Sequence, residues 1–118
     1  MVKVEVIRSQ TGIAEIAMTG HANAGKYGED IVCSAVSAII LGNLNAVHLL
    51  LGLKPDVEMN TEEGGFLKWR LSSLDDPALE EKQQLLAEST LVALLAISQN
   101  YGTYISVQDS KWQGGAHS

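Results

Sequence analysis

The sequence predicts an α+β fold: a two-layer sandwich in the order ββαββαβ, with a mainly antiparallel five-stranded sheet and both helices packed on one face. Three observations carry this. Segments 2–8 and 13–19 alternate apolar and polar residues around Ser9-Gln10-Thr11-Gly12. Segments 57–60 and 66–71 alternate in the same way around Thr61-Glu62-Glu63-Gly64-Gly65, and period-two alternation bounded by turn-forming residues reads as a β-hairpin. Between and after the hairpins lie two long apolar segments with helix start and stop signals. Two hairpins exclude an all-parallel sheet, which sends both helices to one face.

Each element has its own local reason. Val2, Val4 and Val6 share one face of the first strand, while Ile13, Ile16 and Met18 fit the second strand less cleanly. The first helix is expected from an N-cap at Asp30 to about Leu51, closed by Gly52 and by Pro55 soon after. Its apolar residues run most of the way round, so it has more than one side to bury. Asp76 followed by Pro77 marks the start of the second helix, with Pro77 at the first helical position and Glu80-Glu81 near the positive end of the dipole. This helix is expected to reach about Asn100. Segment 104–107 completes the sheet, residues 1–110 form one domain, and residues 111–118 read as a frayed tail. The surplus apolar helix surface predicts a homodimer.

Composition narrows the function classes. Of 118 residues, 46% are apolar and 19% charged, as in globular domains. Eight basic residues face fourteen acidic ones, for a net charge of −6, which argues against direct nucleic-acid binding and would suit a basic partner. One cysteine excludes an internal disulfide, and three histidines beside it do not supply the thiolates of a structural zinc site. The alternating N-terminus lacks the apolar core of a signal peptide, and no uninterrupted apolar run reaches the roughly 20 residues that span a bilayer. A cytoplasmic protein with no membrane association is expected.

The candidate chemistry lies between Gly20 and Ser37. Gly20, Gly25 and Gly28 punctuate a loop expected to be mobile, His21 stands at its strand end, and Cys33 follows its far end. With Asp30 as N-cap, Cys33 is the third helical residue, where unpaired N–H groups and the dipole favour a thiolate. A histidine folding back onto that thiol completes a nucleophile and its base. His48 is fifteen residues along the same helix and hence ~22 Å away, and His117 lies in the tail, so His21 is the candidate base. Asp30 can cap the helix or orient the imidazole of His21. Ser37, one turn beyond Cys33, can line the same site or bond back to a helical carbonyl. A buried structural role for Cys33 is the competing reading.

The run Gly20-His21-Ala22-Asn23-Ala24-Gly25-Lys26 also matches the G-x-x-x-x-G-K of a phosphate-binding loop. Tyr27 follows where that motif needs a hydroxyl for Mg²⁺, and no parallel βαβ unit surrounds it. The match is set aside.

Gly20-His21-Ala22, Gly25, Gly28 and Asp30-Ile31-Val32-Cys33-Ser34-Ala35-Val36-Ser37 together resemble the ribosomal-processing cysteine proteases of Firmicutes and related bacteria. The resemblance extends over almost the whole chain and frays in the tail. Ser34 stands where many relatives carry alanine, a small exchange. The resemblance implies Cys33 as nucleophile and His21 as base, Asp30 and Ser37 as further motif positions, and no metal or cofactor. The implied substrate is the precursor of the twenty-seventh protein of the large ribosomal subunit, whose N-terminal extension is removed after a Phe-Phe pair. The glycine loop would be a mobile cover over the site. The competing classes are a non-catalytic ribosome-assembly or scaffold module, in which Cys33 is core and resists alkylation, and a nucleotide-binding switch.

Overall fold

A computed structural model describes residues 1–20, 27–60 and 65–111, with residues 27–30 as backbone. The elements follow the expected order: β1 (Val2–Ser9), β2 (Gly12–Thr19), α1 (Tyr27–Leu51), β3 (Asp56–Asn60), β4 (Phe66–Arg70), α2 (Pro77–Asn100) and β5 (Ile105–Gln108). The sheet runs β3-β4-β2-β1-β5. Three neighbouring pairs are antiparallel, and β5 alone runs parallel to its neighbour β1. The sheet is therefore mixed, since α2 carries the chain back to the end where β1 starts.

Inward-facing strand residues and one stripe from each helix make a single core. Val2 and Val4 of β1, Ile13, Ile16 and Met18 of β2, Leu67 and Trp69 of β4, and Ile105 of β5 are buried. From α1 come Val32, Val36, Ile40, Leu44 and Val47, and from α2 Ala87, Leu91 and Leu94. The spacing of three and four is that of one helix face, and full burial of such side chains contributes ~1.5–3 kcal/mol each. The alternate strand residues Lys3, Glu5, Glu58 and Arg70 are exposed or nearly so. One face of the sheet is therefore covered and the other meets solvent.

A β-bulge explains the uneven pattern of β2. Ile7 pairs with Glu15, but Arg8 pairs with Ile13, so Ala14 is the extra residue. The bulge resets the alternation and lets Ile13 and Ile16, three apart, both point inward. The Gln84 side chain of α2 holds this place: Ile13 N–H donates to Oε1 at 2.8 Å, and Nε2 donates to Ile13 O at 2.9 Å. Gly12 has φ +145°, and a Cβ there would lie 2.3 Å from Gln84 Oε1.

Both helix ends read from the sequence with flanking signals behave as expected. Asp76 accepts from the N–H groups of Ala78 and Leu79 at 3.0 and 3.3 Å. Gly52, at φ +69°, donates to His48 O at 3.0 Å. The start of α1 differs. The helix begins at Tyr27, so Asp30 is its fourth residue and not its N-cap, and Gly28 is helical and not part of a loop. An acidic residue is as favourable inside a first helical turn as at the cap, so residue type alone did not separate the two starts. Residues Ile31–Leu51 of α1 also have the length and apolar content of a membrane span, although its buried stripe is part of the sheet-facing core.

Candidate active site

β1 begins, and β2 and α2 end, at one edge of the two layers. Thr19 is paired with Lys3 on one side and Phe66 on the other, so β2 ends in the middle of the sheet. Gly20 then takes φ +79°, and a Cβ there would lie 2.5 Å from the Met1 carbonyl oxygen. Glycine is required twice over at this point, for the left-handed backbone and for the close approach of Met1. Met1 is itself held nearby, because the next N–H, that of Val2, donates to Tyr104 O at 2.8 Å. The residue before His21 is thus fixed by the start of the chain and the start of β5, two contacts that no local pattern in the sequence announces.

His21 and Gly25 lie outside the described residues, and of Asp30 only its place in the helix backbone is described. Cys33 is the seventh residue of α1 and 7% exposed. It belongs to the single buried core cluster, and because α1 follows β2 and leads to the start of β3 at the opposite edge, it stands toward the end of the sheet where β2 stops. Ser37, four residues on, is half-buried and lies on the same side of the helix. His48 is exposed at the far end of α1, with Nδ1 3.0 Å from Leu53 O, which removes it from the neighbourhood of Cys33.

The longer helix changes the expected electrostatics of Cys33. In a helix starting at Tyr27 the helical N–H groups without helical partners belong to the first three residues, 27–29. The N–H of Cys33 therefore falls inside the hydrogen-bonded ladder, not at the third position as expected. The dipole acts mainly within the first turn, so in this conformation Cys33 lies one turn past its strongest reach. Among the described residues no group of three or more His, Cys, Asp or Glu could hold a metal ion.

The family model described as Cysteine protease Prp matches residues 1–106, which spans every element from β1 into β5. The chain belongs to the cysteine protease Prp family. It is 37% identical over 102 residues to the ribosomal processing cysteine protease Prp of Bacillus subtilis, covering 86% of this chain and 90% of the relative. A Streptococcus mutans protein of known crystal structure superposes with a TM-score of 0.83 at 31% identity, over 92% of each chain. The essential ribosomal processing protease Prp of Staphylococcus aureus, solved with a covalently linked product peptide, superposes with a TM-score of 0.74 at 28% identity, over 92% of this chain and 98% of that one. As a Prp-family member this chain is a cysteine protease, and its α+β architecture is that of the solved Prp structures.

The Arg8 cluster escaped the sequence reading. The Arg8 guanidinium donates to both oxygens of Glu88 at 2.7 and 2.9 Å and to both of Asp109 at 2.6 and 3.0 Å. The hydrogen bonds that it donates to Glu88 and then to Asp109 raise its pKa further above an already high value, so it stays charged at any pH the protein survives. This cluster stands at the opposite end of β1 from Cys33 and is structural. Its three members are scattered over the sequence, and no short-range signal could have joined them. Asp109 also accepts from Lys111 N–H at 3.4 Å, and residues 112–118 of the expected tail lie outside the described residues.

Proposed function

We propose that this chain is a ribosomal-processing endopeptidase that removes the N-terminal extension of the twenty-seventh protein of the large ribosomal subunit, cutting after a Phe-Phe pair. One observation carries the reading: the chain matches a cysteine protease family over residues 1–106 and contains a single cysteine. Cysteine protease chemistry then has one available nucleophile, Cys33. The names of the relatives from Bacillus subtilis and Staphylococcus aureus supply the substrate class.

The thiolate of Cys33 attacks the scissile carbonyl carbon and forms a tetrahedral oxyanion. Collapse breaks the C–N bond, leaves an acyl thioester on Sγ, and His21 gives its proton to the departing amine. Water then attacks the thioester, His21 takes its proton, and the carboxylate product leaves with the thiol restored. Free N–H groups at the α1 N-terminus are donors of the kind that an oxyanion needs. With α1 in its present extent those donors belong to residues 27–29, one turn before Cys33. Ser37 lines the pocket on the next turn, and Asp30 orients His21. Neither a metal nor a cofactor enters. The reaction belongs in the cytoplasm, where the thiol stays reduced and ribosomal proteins are made.

The test is incubation with the precursor ribosomal protein followed by mass analysis of the products. A single cut after the Phe-Phe pair is expected, and an intact precursor overturns the reading. Cys33→Ala should abolish the cut with the fold preserved, and His21→Ala should slow it by ~10²–10⁴-fold. Normal processing by Cys33→Ala would leave the non-catalytic assembly module as the better account.

A further inference from the structure

We infer that the groove beside Leu85 on α2 docks the basic, mature part of the ribosomal protein whose extension is cut at Cys33; this second contact, remote from the cut bond, rests on the proteolytic reading.

Charge is distributed unevenly along α2. Between Asp75 and Glu88 the chain has five acidic residues and one basic residue, whereas from Ser89 to Gln108 it has neither. Three of the five acids have structural duties: Asp76 caps the helix, Glu80 accepts from Leu74 N–H and Glu88 holds Arg8. Asp75 and Glu81 are exposed and make no salt bridge among the described residues. The helix dipole favours acids in the first turn, but Glu81 is already the fifth residue of α2. Nor does the dipole give a reason for an exposed leucine one turn further on.

Leu85 is 68% exposed and lies one turn from both Glu81 and Glu88. With these two, Lys82 and Gln84, it lines a groove of about 240 Å³. The groove is braced from the sheet side. Gln84 bonds both backbone groups of Ile13 at 2.8 and 2.9 Å, and Glu88 accepts two bonds from Arg8 at 2.7 and 2.9 Å. A surface fixed before binding loses little entropy when a partner arrives.

Charge and shape select the occupant. Proteins that bind ribosomal RNA meet its phosphates with Lys and Arg, and those side chains combine an apolar stem with a charged head. A stem laid over Leu85 puts its head beside Glu81, in the negative field of the α2 start. A second copy of this chain, with its own net charge of −6, meets that field unfavourably. Lys82 is the one unfavourable charge at the rim, which gives the test a variant of opposite sign.

The spacing lets one substrate reach both places. Leu85 is fifteen residues before Asn100, where α2 ends at the edge toward which Cys33 stands, hence ~22 Å away. An extended chain covers that distance in about seven residues. Ser89, Val92, Ala96 and Gln99 are exposed between the two and carry no charge to intercept it. The mature part follows the cut on the leaving-amine side, so its basic residues from about the seventh onward come within reach of the groove.

Two measurements test this. In the first, the Cys33→Ala chain is titrated calorimetrically with the mature ribosomal protein, which lacks the extension. Binding is expected. Glu81→Lys combined with Leu85→Ala should weaken it by ~10-fold or more, and Lys82→Glu should tighten it. All three side chains are exposed, so the fold is kept. In the second, the combined variant should raise KM for the whole precursor by the same factor with kcat unchanged. A peptide that stops short of about seven residues past the cut should be cleaved by variant and wild type alike. No binding of the mature protein, or equal binding by the combined variant, overturns the inference even where the precursor is cut. Binding that depends on Glu81 and Leu85 without any cleavage sustains the groove and overturns the proteolytic reading instead. If the combined variant alters only the chain's own sedimentation, a second copy occupies the groove and the inference falls.

Discussion

The two ends of the sheet are held by different means. At the end opposite Cys33, long polar side chains tie elements together across the sequence. Arg8 joins β1 to α2 through Glu88 and to the end of β5 through Asp109, and Gln84 grips both backbone groups of Ile13. Nearby, Gln83 donates to Ser72 O at 3.1 Å and Glu80 accepts from Leu74 N–H at 3.0 Å. At the Cys33 end the described residues meet through backbone and apolar contact: Val2 with Tyr104, Tyr101 with Ile97, and Gly20 against Met1. One end therefore draws on charge and shape-specific hydrogen bonds, which resist deformation. Among the described residues, the other includes a close backbone approach at Gly20. A protease that must admit a peptide gains from that division, because the braced end can hold the fold while the end proposed to carry the catalytic residues adjusts.

The largest expected effect tests the braced end. Arg8→Ala leaves two carboxylates together, with the Asp109 side chain fully buried. Removing one member of such a cluster costs ~3–5 kcal/mol, read as a lower urea midpoint with an unchanged slope. Below the melting transition the specific rate of precursor cleavage should be nearly that of the wild type. If the rate fell in proportion to the stability, the two ends would be one mechanical unit, and the contrast drawn above would fail.

Gly20→Ala should do the reverse. Its left-handed backbone and the nearby Met1 carbonyl together predict a cost of ~1–3 kcal/mol, less than that of Arg8→Ala. Its effect on kcat should be larger, since relief of the contact displaces the residue that directly precedes His21. A Gly20→Ala enzyme with wild-type kcat would show that the Met1 contact does not position the site.

What the sequence disclosed, and what it hid, follows the same line between local and distant causes. The order of elements, the Asp76 cap, the Gly52 stop and the shared face of Cys33 and Ser37 rest on residues within a turn or two of each other. The bulge at Ala14 depends on Gln84 and the Arg8 cluster on Glu88 and Asp109, so neither leaves a short-range trace beyond the uneven apolar spacing of β2. A last strand was legible at 104–107, one residue early against the observed β5, but its parallel partner was not, because pairing is set by where α2 returns the chain. The start of α1 was misread for a local reason: Asp30 suits a cap and a first turn equally.

That ambiguity gives the smallest and most discriminating comparison, between two aspartates that look alike in the sequence. Asp76 is a working N-cap with two backbone donors, and Asp76→Ala should cost about 1 kcal/mol without altering cleavage. Asp30 is the fourth residue of α1, where alanine's better helix propensity, by up to ~0.7 kcal/mol, offsets the ~0.3–1 kcal/mol that a carboxylate gains near the positive end of the dipole. Asp30→Ala should therefore leave the melting midpoint almost unchanged. If cleavage nevertheless falls steeply, and Asp30→Asn restores little of it, the carboxylate acts on His21 and not on the helix. Should Asp30→Ala instead destabilise the fold as much as Asp76→Ala, α1 would begin at Ile31 in solution. Cys33 would then recover its place in the first turn, with its N–H free to meet an oxyanion.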